Sequence, residues 1–286
     1  LGRVREVPWA RHAALTAQIV AEHVVDDPLR LLLQGSRRLP AAWRGPLGTL
    51  VATAGRGPGL GSVAAAVGLE MQGRTAEARA RVAGDERAGA AGDARPAAVA
   101  RADAALLLGD ADLAAGLLEA VPEDGRGTAW HAAAARLALH CGDLDAAVTA
   151  SDRRGLGDLH RRMAGEAAAF AGHRPRVPRH ASYTPLPGRV LHVLTNSLPH
   201  TGSGYAQRSH STLRALADAG IHVEAVTRPG WPAQVGVPWA AREDVVDGVR
   251  YRRLTPWRLA QGTAARIDQH ARLLAAEVER FRPQAL

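Results

Sequence analysis

Gly202-Ser203-Gly204, lying between an apolar run and an amphipathic one, is the stretch of this chain best suited to hold a ligand. A glycine turn feeding a helix N-terminus offers unpaired backbone N–H groups and the positive end of the helix dipole, so its natural guest is a phosphate. The competing reading is a tight turn with no guest. A dinucleotide fingerprint asks for a third glycine and an acidic residue about twenty positions on. Here Gln207 stands at the third position and the next apolar run ends at Thr227-Arg228. That disfavours a dinucleotide, although an arginine there would suit a 2′-phosphate. His192 reads as a hydrogen-bonded core residue rather than a ligand, His200, His210 and His222 show no metal-ligand spacing, and no Ser/His/Asp set or carboxylate pair stands out as catalytic. Cys141 is the single cysteine, which excludes a disulfide framework and a cysteine-based metal site.

The elements that must position this turn can be read from periodicity. Val190 to Leu194 is a branched apolar run of the kind that forms a strand buried on both faces. From Tyr205, residues Ala206, Leu213, Leu216 and Ala217 fall on one helical face, and Ala219-Gly220 closes that helix. Ile221 to Thr227 is a second strand. A β-loop-α-β unit joins parallel strands by a right-handed crossover and sets its first turn at the carboxyl edge of the sheet, where ligands bind. Pro229 to Asp244 reads as a long loop with Trp231 and Trp239, and Asp247 to Leu254 alternates as a third strand. Arg258 to Phe281 reads as a helix with Leu259, Ile267, Leu274, Val278 and Phe281 facing inward, and Pro283 to Leu286 as the approach to a fourth strand.

Several short pieces recur here in a fixed order: Ser197-Leu198-Pro199, Ser203-Gly204-Tyr205-x-x-Arg208-Ser209, Leu213-Arg214-Ala215-Leu216, Gly220-Ile221-x-Val223, Thr227-Arg228-Pro229 and Val246-Asp247-Gly248-Val249-Arg250-Tyr251. Together they resemble the N-terminal half of a family 4 glycosyltransferase of the GT-B fold, above all the exopolysaccharide-associated members with a Ser-Gly-Tyr-x-x-Arg turn. The resemblance covers about residues 188 to 286. Ser203 departs from the commoner Gly-Gly turn of the wider family. The resemblance implies a retaining transfer of sugar from a nucleotide-diphosphate donor to a glycan or lipid-linked acceptor, with no cofactor or metal called for. In that scheme Gly202, Ser203 and Gly204 would present backbone N–H groups, and Gly204 would admit the diphosphate closely. Tyr205 and Arg208, at i and i+3, would share a helix face at the cleft, with the Arg208 fork pairing a phosphate or an acidic acceptor group. Against this, Arg208 could be a solvated helix arginine and Tyr205 a packing residue. In the family the donor is held mainly by a second Rossmann-like half with paired glutamates. Residues 1 to 286 would supply the acceptor side, and are expected to fold but not to transfer sugar alone.

The chain has 286 residues, 47% of them hydrophobic, which is enough for two domains with a real core. Its formal charge of +8 and pI near 11 would ordinarily raise nucleic acid as a partner. Every basic residue is arginine, however, and no basic run is interleaved with aromatics, so no nucleic-acid partner is expected. No leader-like apolar region or stretch of about 18 apolar residues is present. A cytoplasmic protein is expected, with peripheral contact at the inner membrane face as an added option.

Residues 10 to 39 read as two helices split at Asp26-Asp27-Pro28, and Pro40 to Gly61 as irregular at its ends around an apolar patch at Leu47 to Val51. Beyond them Gly73, Gly109 and Gly142 recur at intervals of 36 and 33 residues. Alanine lies five residues after each (Ala78, Ala114, Ala147) and seven before each (Ala66, Ala102, Ala135). Small residues let paired helices approach and glycine makes the turn, a lattice that resembles tetratricopeptide repeats of period about 34, without their large aromatic positions. An alanine-rich bundle is the alternative. Leu156 to Ala171, followed by Gly172, looks like a terminal cap. The expected architecture is therefore an α-helical repeat region, a TPR-like α-solenoid, over residues 1 to 172. A Pro/Arg-rich linker over 173 to 188 follows, then a partial α/β Rossmann-like domain with a parallel sheet over 189 to 286. The helical repeats could recruit a protein partner. A non-catalytic binding module with a nucleotide-fold remnant, and a nicotinamide-dependent enzyme, are the competing functions.

Overall fold

The computed structural model describes residues 8–37, 39–54, 60–84, 94–177, 183–237 and 239–286, so the extreme N-terminus and residues 178–182 of the expected linker lie outside it. In order it contains α1 (Pro8–Asp26), α2 (Pro28–Arg37), α3 (Ala41–Ala54), α4 (Leu60–Met71), α5 (Thr75–Ala83), α6 (Ala94–Leu107), α7 (Ala111–Glu119), α8 (Thr128–His140), α9 (Leu144–Ser151), α10 (Gly157–Phe170), β1 (Arg189–Leu194), α11 (Gly204–Asp218), β2 (His222–Thr227), β3 (Glu243–Val246), β4 (Val249–Arg253) and α12 (Thr263–Phe281). The described residues are thus mostly helical, with one small mixed sheet. They divide into two compact units, residues 23–170 and residues 1–22 with 171–286.

In the helical unit consecutive helices pack as pairs joined by short turns. Gly73, Gly109 and Gly142 each take φ near +80° just past a helix end, where a side chain would be strained. The residue after each glycine donates its N–H to a carbonyl five residues back: Arg74 to Leu69, Asp110 to Ala105 and Asp143 to Ala138, all at 2.9 Å. Asp110 and Asp143 then cap the next helix, accepting from Leu113 N at 3.1 Å and Ala146 N at 2.9 Å. Ala66, Ala78, Ala102, Ala114, Ala135 and Ala147 are all buried. The core between the helices is filled by Val63, Val67, Val82, Val99, Leu108 and Leu118, with Leu159 and Met163 closing the last pairs.

One expectation fails here. Within Pro40 to Gly61, expected to be irregular at its ends, Ala41–Ala54 is helical with Pro46 inside it, while residues 55–59 lie outside the described residues. The reason is a contact that no local pattern reveals. α3 crosses α4 with Gly48 against Gly68, so close that a Cβ on Gly48 would stand 2.7 Å from Gly68 O. Burying two backbones against each other offsets the poor helix propensity of proline and glycine.

Arginines stitch this unit together. Arg101 donates from Nε and Nη2 to Val82 O at 2.9 and 2.7 Å, closing the end of α5, and Arg79 reaches Leu108 O beyond α6 at 3.2 and 2.7 Å. Arg136 on α8 grips Asp103 on α6 in a two-pronged pair at 3.0 and 2.6 Å. Burial still pushes the Asp103 carboxyl above its ordinary value despite Arg136. Removing Arg136 leaves that carboxylate without its counter-charge, so Arg136→Ala should cost about 2 to 3 kcal/mol in urea unfolding. The double variant with Asp103→Ala should recover part of the loss. A single-variant cost near zero would show that the pair contributes nothing.

The α/β unit holds a four-stranded sheet of order β1-β2-β4-β3, with β1, β2 and β4 parallel and β3 antiparallel to β4. Helix α11 covers one face through Leu213, packed with Leu194, Val223, Ala225, Val249 and Tyr251. Helix α12 covers the other through Phe281, packed with Leu191 and Val226. Ala285 adds a parallel bridge to Val190 on the free side of β1. The third expected strand is β4. Part of the expected loop is instead strand β3, turned into β4 by Asp247 and Gly248, both at positive φ as a two-residue hairpin needs. The last helix starts at Thr263, five residues later than expected from Arg258.

Two boundaries differ from expectation. Residues 8–22, expected in the helical region, group with the α/β unit because α1 lays Leu15 and Ile19 on Ala233 and Leu259, and residues 1–7 lie outside the described residues. Gln18 completes the attachment by accepting from Leu259 N and donating to Leu259 O, both at 2.8 Å. The segment read as a linker is likewise attached to the same unit. His173 Nε2 lies 2.9 Å from Asp268 Oδ1, and the Tyr183 hydroxyl donates to Pro283 O.

Candidate functional site

The loop leaving β1 delivers Ser203 in an extended conformation as the N-cap of α11, its Oγ accepting from Ala206 N at 3.2 Å and donating to Asn196 Oδ1 at 3.3 Å. That cap satisfies one orphan donor and leaves others open. The amides of Gly202, Ser203, Gly204 and Tyr205 have no acceptor among the described residues, while Gln207 N returns to Ser203 O at 2.9 Å. The amides of Ser203, Gly204 and Tyr205 lie at the positive end of a 15-residue helix, where an anion is favoured. Neither Gly202 nor Gly204 has positive φ, and a Cβ on either would meet nothing within 4 Å. Glycine is not required there by the turn, and the space beside each is open.

Tyr205 and Arg208 lie in the first turns of α11, both exposed. The Arg208 guanidinium makes no ion pair or hydrogen bond among the described residues. It is available to a ligand. The predicted residues Gly202, Ser203, Gly204, Tyr205 and Arg208 are therefore contiguous at the carboxyl end of β1, with Arg228 at the neighbouring end of β2, where its N–H donates to Leu194 O at 3.0 Å.

Behind this edge lies a buried polar cluster without any signal in the sequence pattern. Trp231, fully buried, has His200 edge-on at 5.5 Å and the Arg253 guanidinium 5.6 Å above its ring. Arg253 pairs with Asp244 and donates to Ala241 O, and burial pulls its pKa down to about 10. His200 Nε2 stands 3.4 Å from Asp244 Oδ2, and His12 Nε2 donates to Val237 O at 3.1 Å from α1. The cluster fixes the loops that frame the candidate site. Burial, with Arg253 adding repulsion, holds both His12 and His200 below the ordinary histidine value of 6.5, because Asp244 is already committed to Arg253.

The sign of the consequence follows from linkage. Both imidazoles are neutral in the fold and take up protons more readily when unfolded, so their contribution is present above about pH 6.5 and is lost as pH falls through the depressed values. The urea midpoint of the α/β unit should therefore drop between pH 7.5 and pH 5.5, and the drop should shrink in His200→Gln. An unchanged pH dependence in that variant would assign the drop to other groups.

A second constellation resembles a relay, with His210 and Tyr251 buried and Asp247 exposed. His210 on α11 lies 2.8 Å from the Tyr251 hydroxyl through Nδ1 and 3.0 Å from Asp247 Oδ2 through Nε2. Tyr251 is 1% exposed, and burial together with Asp247 pushes its pKa up to about 12. The arrangement ties α11 to β4.

Among the described residues no three His, Cys, Asp or Glu side chains converge as metal ligands, and no helix is long and apolar enough to cross a membrane. Compared with protein-family models, with curated proteins and with solved structures, the chain matches none.

Proposed function

We propose that residues 189 to 286 are the Rossmann-like, acceptor-side half of a retaining glycosyltransferase of the GT-B family 4 type. The enzyme would pass a sugar from a nucleotide-diphosphate donor to a glycan or lipid-linked acceptor. The observation that carries the reading is the run of four unpaired amides from Gly202 to Tyr205 at the head of α11, with the unpaired Arg208 one turn on. A diphosphate leaving group needs donors aimed at the charge that develops on it, and a preorganised helix N-terminus supplies them without reorganisation. Gly204 lets the phosphate approach the backbone, Ser203 holds the turn in shape, and Arg208 adds a planar, charge-assisted contact.

The helical unit is a TPR-like repeat array in this reading, supported by three turns of one geometry and six buried alanines in register. It recruits a protein partner. The protein works in the cytoplasm, at the inner membrane face where lipid-linked acceptors reside. The test is an assay of a protein carrying this half together with a donor-binding half, with labelled nucleotide-sugars and lipid-linked acceptors. Enzyme-dependent formation of a glycosylated acceptor with retained anomeric configuration supports the proposal. Activity with a nicotinamide cofactor and none with any nucleotide-sugar overturns it.

A further inference from the structure

Arg228 stands out among the cations of the α/β unit. It leaves the end of β2 partly buried, its Nε is shielded from solvent, and no acceptor or carboxylate faces its guanidinium among the described residues. Strand alternation sets its direction. Glu224 and Val226 on the same strand meet Arg280 and Phe281 of α12, so Arg228 continues on the α12 side of the sheet. Phe281, at the far end of α12, lies against His222 at the start of β2, with ring centroids 5.4 Å apart. The first turn of α12 therefore lies toward the carboxyl ends of the strands, where Arg228 emerges.

That first turn is itself electropositive. Gly262 gives it no side-chain cap, no acidic residue lies in it, and it carries Arg266. Arg266 is held by Glu22 at 2.7 Å and by Ala260 O at 2.9 Å. Glu22 thus pairs with Arg266, and Arg228 Nε is left without a partner among the described residues. Burial, with Arg266 nearby, holds Arg228 below the ordinary arginine value, a cost that an anion would remove.

We propose that Arg228 and Arg266 form a second oxyanion subsite, distinct from the turn at α11, which takes a phosphate-ester group. Arg228 supplies the planar fork, and Arg266 joins it from the first turn of α12. Resting on the transferase reading, this phosphate belongs to the acceptor. The existence of the subsite does not depend on that reading.

The test is calorimetric titration of inorganic phosphate, at ionic strength matched with sodium chloride, into the chain and five variants. Arg228→Gln should weaken binding about tenfold or more, and Arg228→Lys about threefold, because the charge remains and the fork is lost. Arg272→Gln, an exposed arginine of α12 away from the first turn, should leave the affinity unchanged. If Arg228→Gln does not fold, Arg228→Lys and Arg266→Gln carry the comparison. No phosphate binding by the wild-type chain up to tens of millimolar overturns the subsite, as does equal affinity in folded Arg228→Gln. Binding lost in Arg208→Ala but intact in the Arg228 variants assigns the phosphate to the α11 turn, which removes this proposal and leaves the transferase reading standing. Binding lost in the Arg228 variants, with no sugar transfer by a protein carrying both Rossmann-like halves, keeps the subsite and removes its assignment to an acceptor.

Discussion

In an enzyme that carries this half together with a donor-binding half, Arg208→Ala should lower kcat/KM for sugar transfer ten- to a hundredfold while leaving the fold intact. The magnitude follows from the loss of a charge-assisted hydrogen bond to phosphate, worth about 1.5 to 3 kcal/mol. Stability should hardly change, since the Arg208 side chain is exposed and surface substitutions without partners cost within about 0.5 kcal/mol. Gly204→Val should do more harm to activity. Its Cβ meets nothing in the protein, so the branched side chain fits the free chain and obstructs only what approaches the amides. Steady-state kinetics with circular dichroism on the same samples separates the two effects. Wild-type kcat/KM in both folded variants would reduce the turn to a helix start.

Gly68→Ala should be the most damaging small substitution in the helical unit, costing about 3 kcal/mol in urea unfolding. Mid-helix, glycine to alanine ordinarily stabilises by up to about 1 kcal/mol, so propensity alone predicts the opposite sign. The added methyl would fall on Gly48 O and Ala52 N and within 2.8 Å of Ala52 Cβ. Two of those atoms are backbone, so α3 must move away from α4 as a whole, which places the cost at the upper end for overpacking. Gly116→Ala is the matched control, because that glycine is inside α7 with nothing within 4 Å of its would-be Cβ. It should stabilise slightly. A Gly68→Ala variant as stable as the parent would mean the two helices do not meet backbone to backbone.

Legibility in the sequence tracked how local each signal is. The β1-α11-β2 unit could be read because its residues carry the period of their own element, from the buried Leu191 and Leu194 to Ala206 and Leu213 on one helical face. The glycine turns could be read because a positive φ selects glycine whatever surrounds it. Helix α3 could not, since its stability lies in a contact with Gly68 twenty residues away in sequence from Gly48. The assignment of α1 to the α/β unit was equally hidden, because Leu15, Gln18 and Glu22 look like any amphipathic stripe until Leu259 and Arg266 stand opposite them. Strand β3 was missed although Asp247-Gly248 is a recognised hairpin pair, its four residues being too short and too polar to show alternation. At the site the glycine turn was visible. The cluster of His12, His200, Trp231, Asp244 and Arg253 was not, for its members come from five separate segments and no spacing links them.

The most direct measurement is a titration of the chain with nucleoside diphosphate, followed by its backbone amide resonances. If the head of α11 is the phosphate cradle of a sugar-transfer site, the largest shifts fall at Gly204 and Tyr205, spread to Gly202 and Ser203, and weaken about tenfold or more in affinity in Arg208→Ala. Shifts confined to other segments, with those four amides unmoved at saturating ligand, would contradict it.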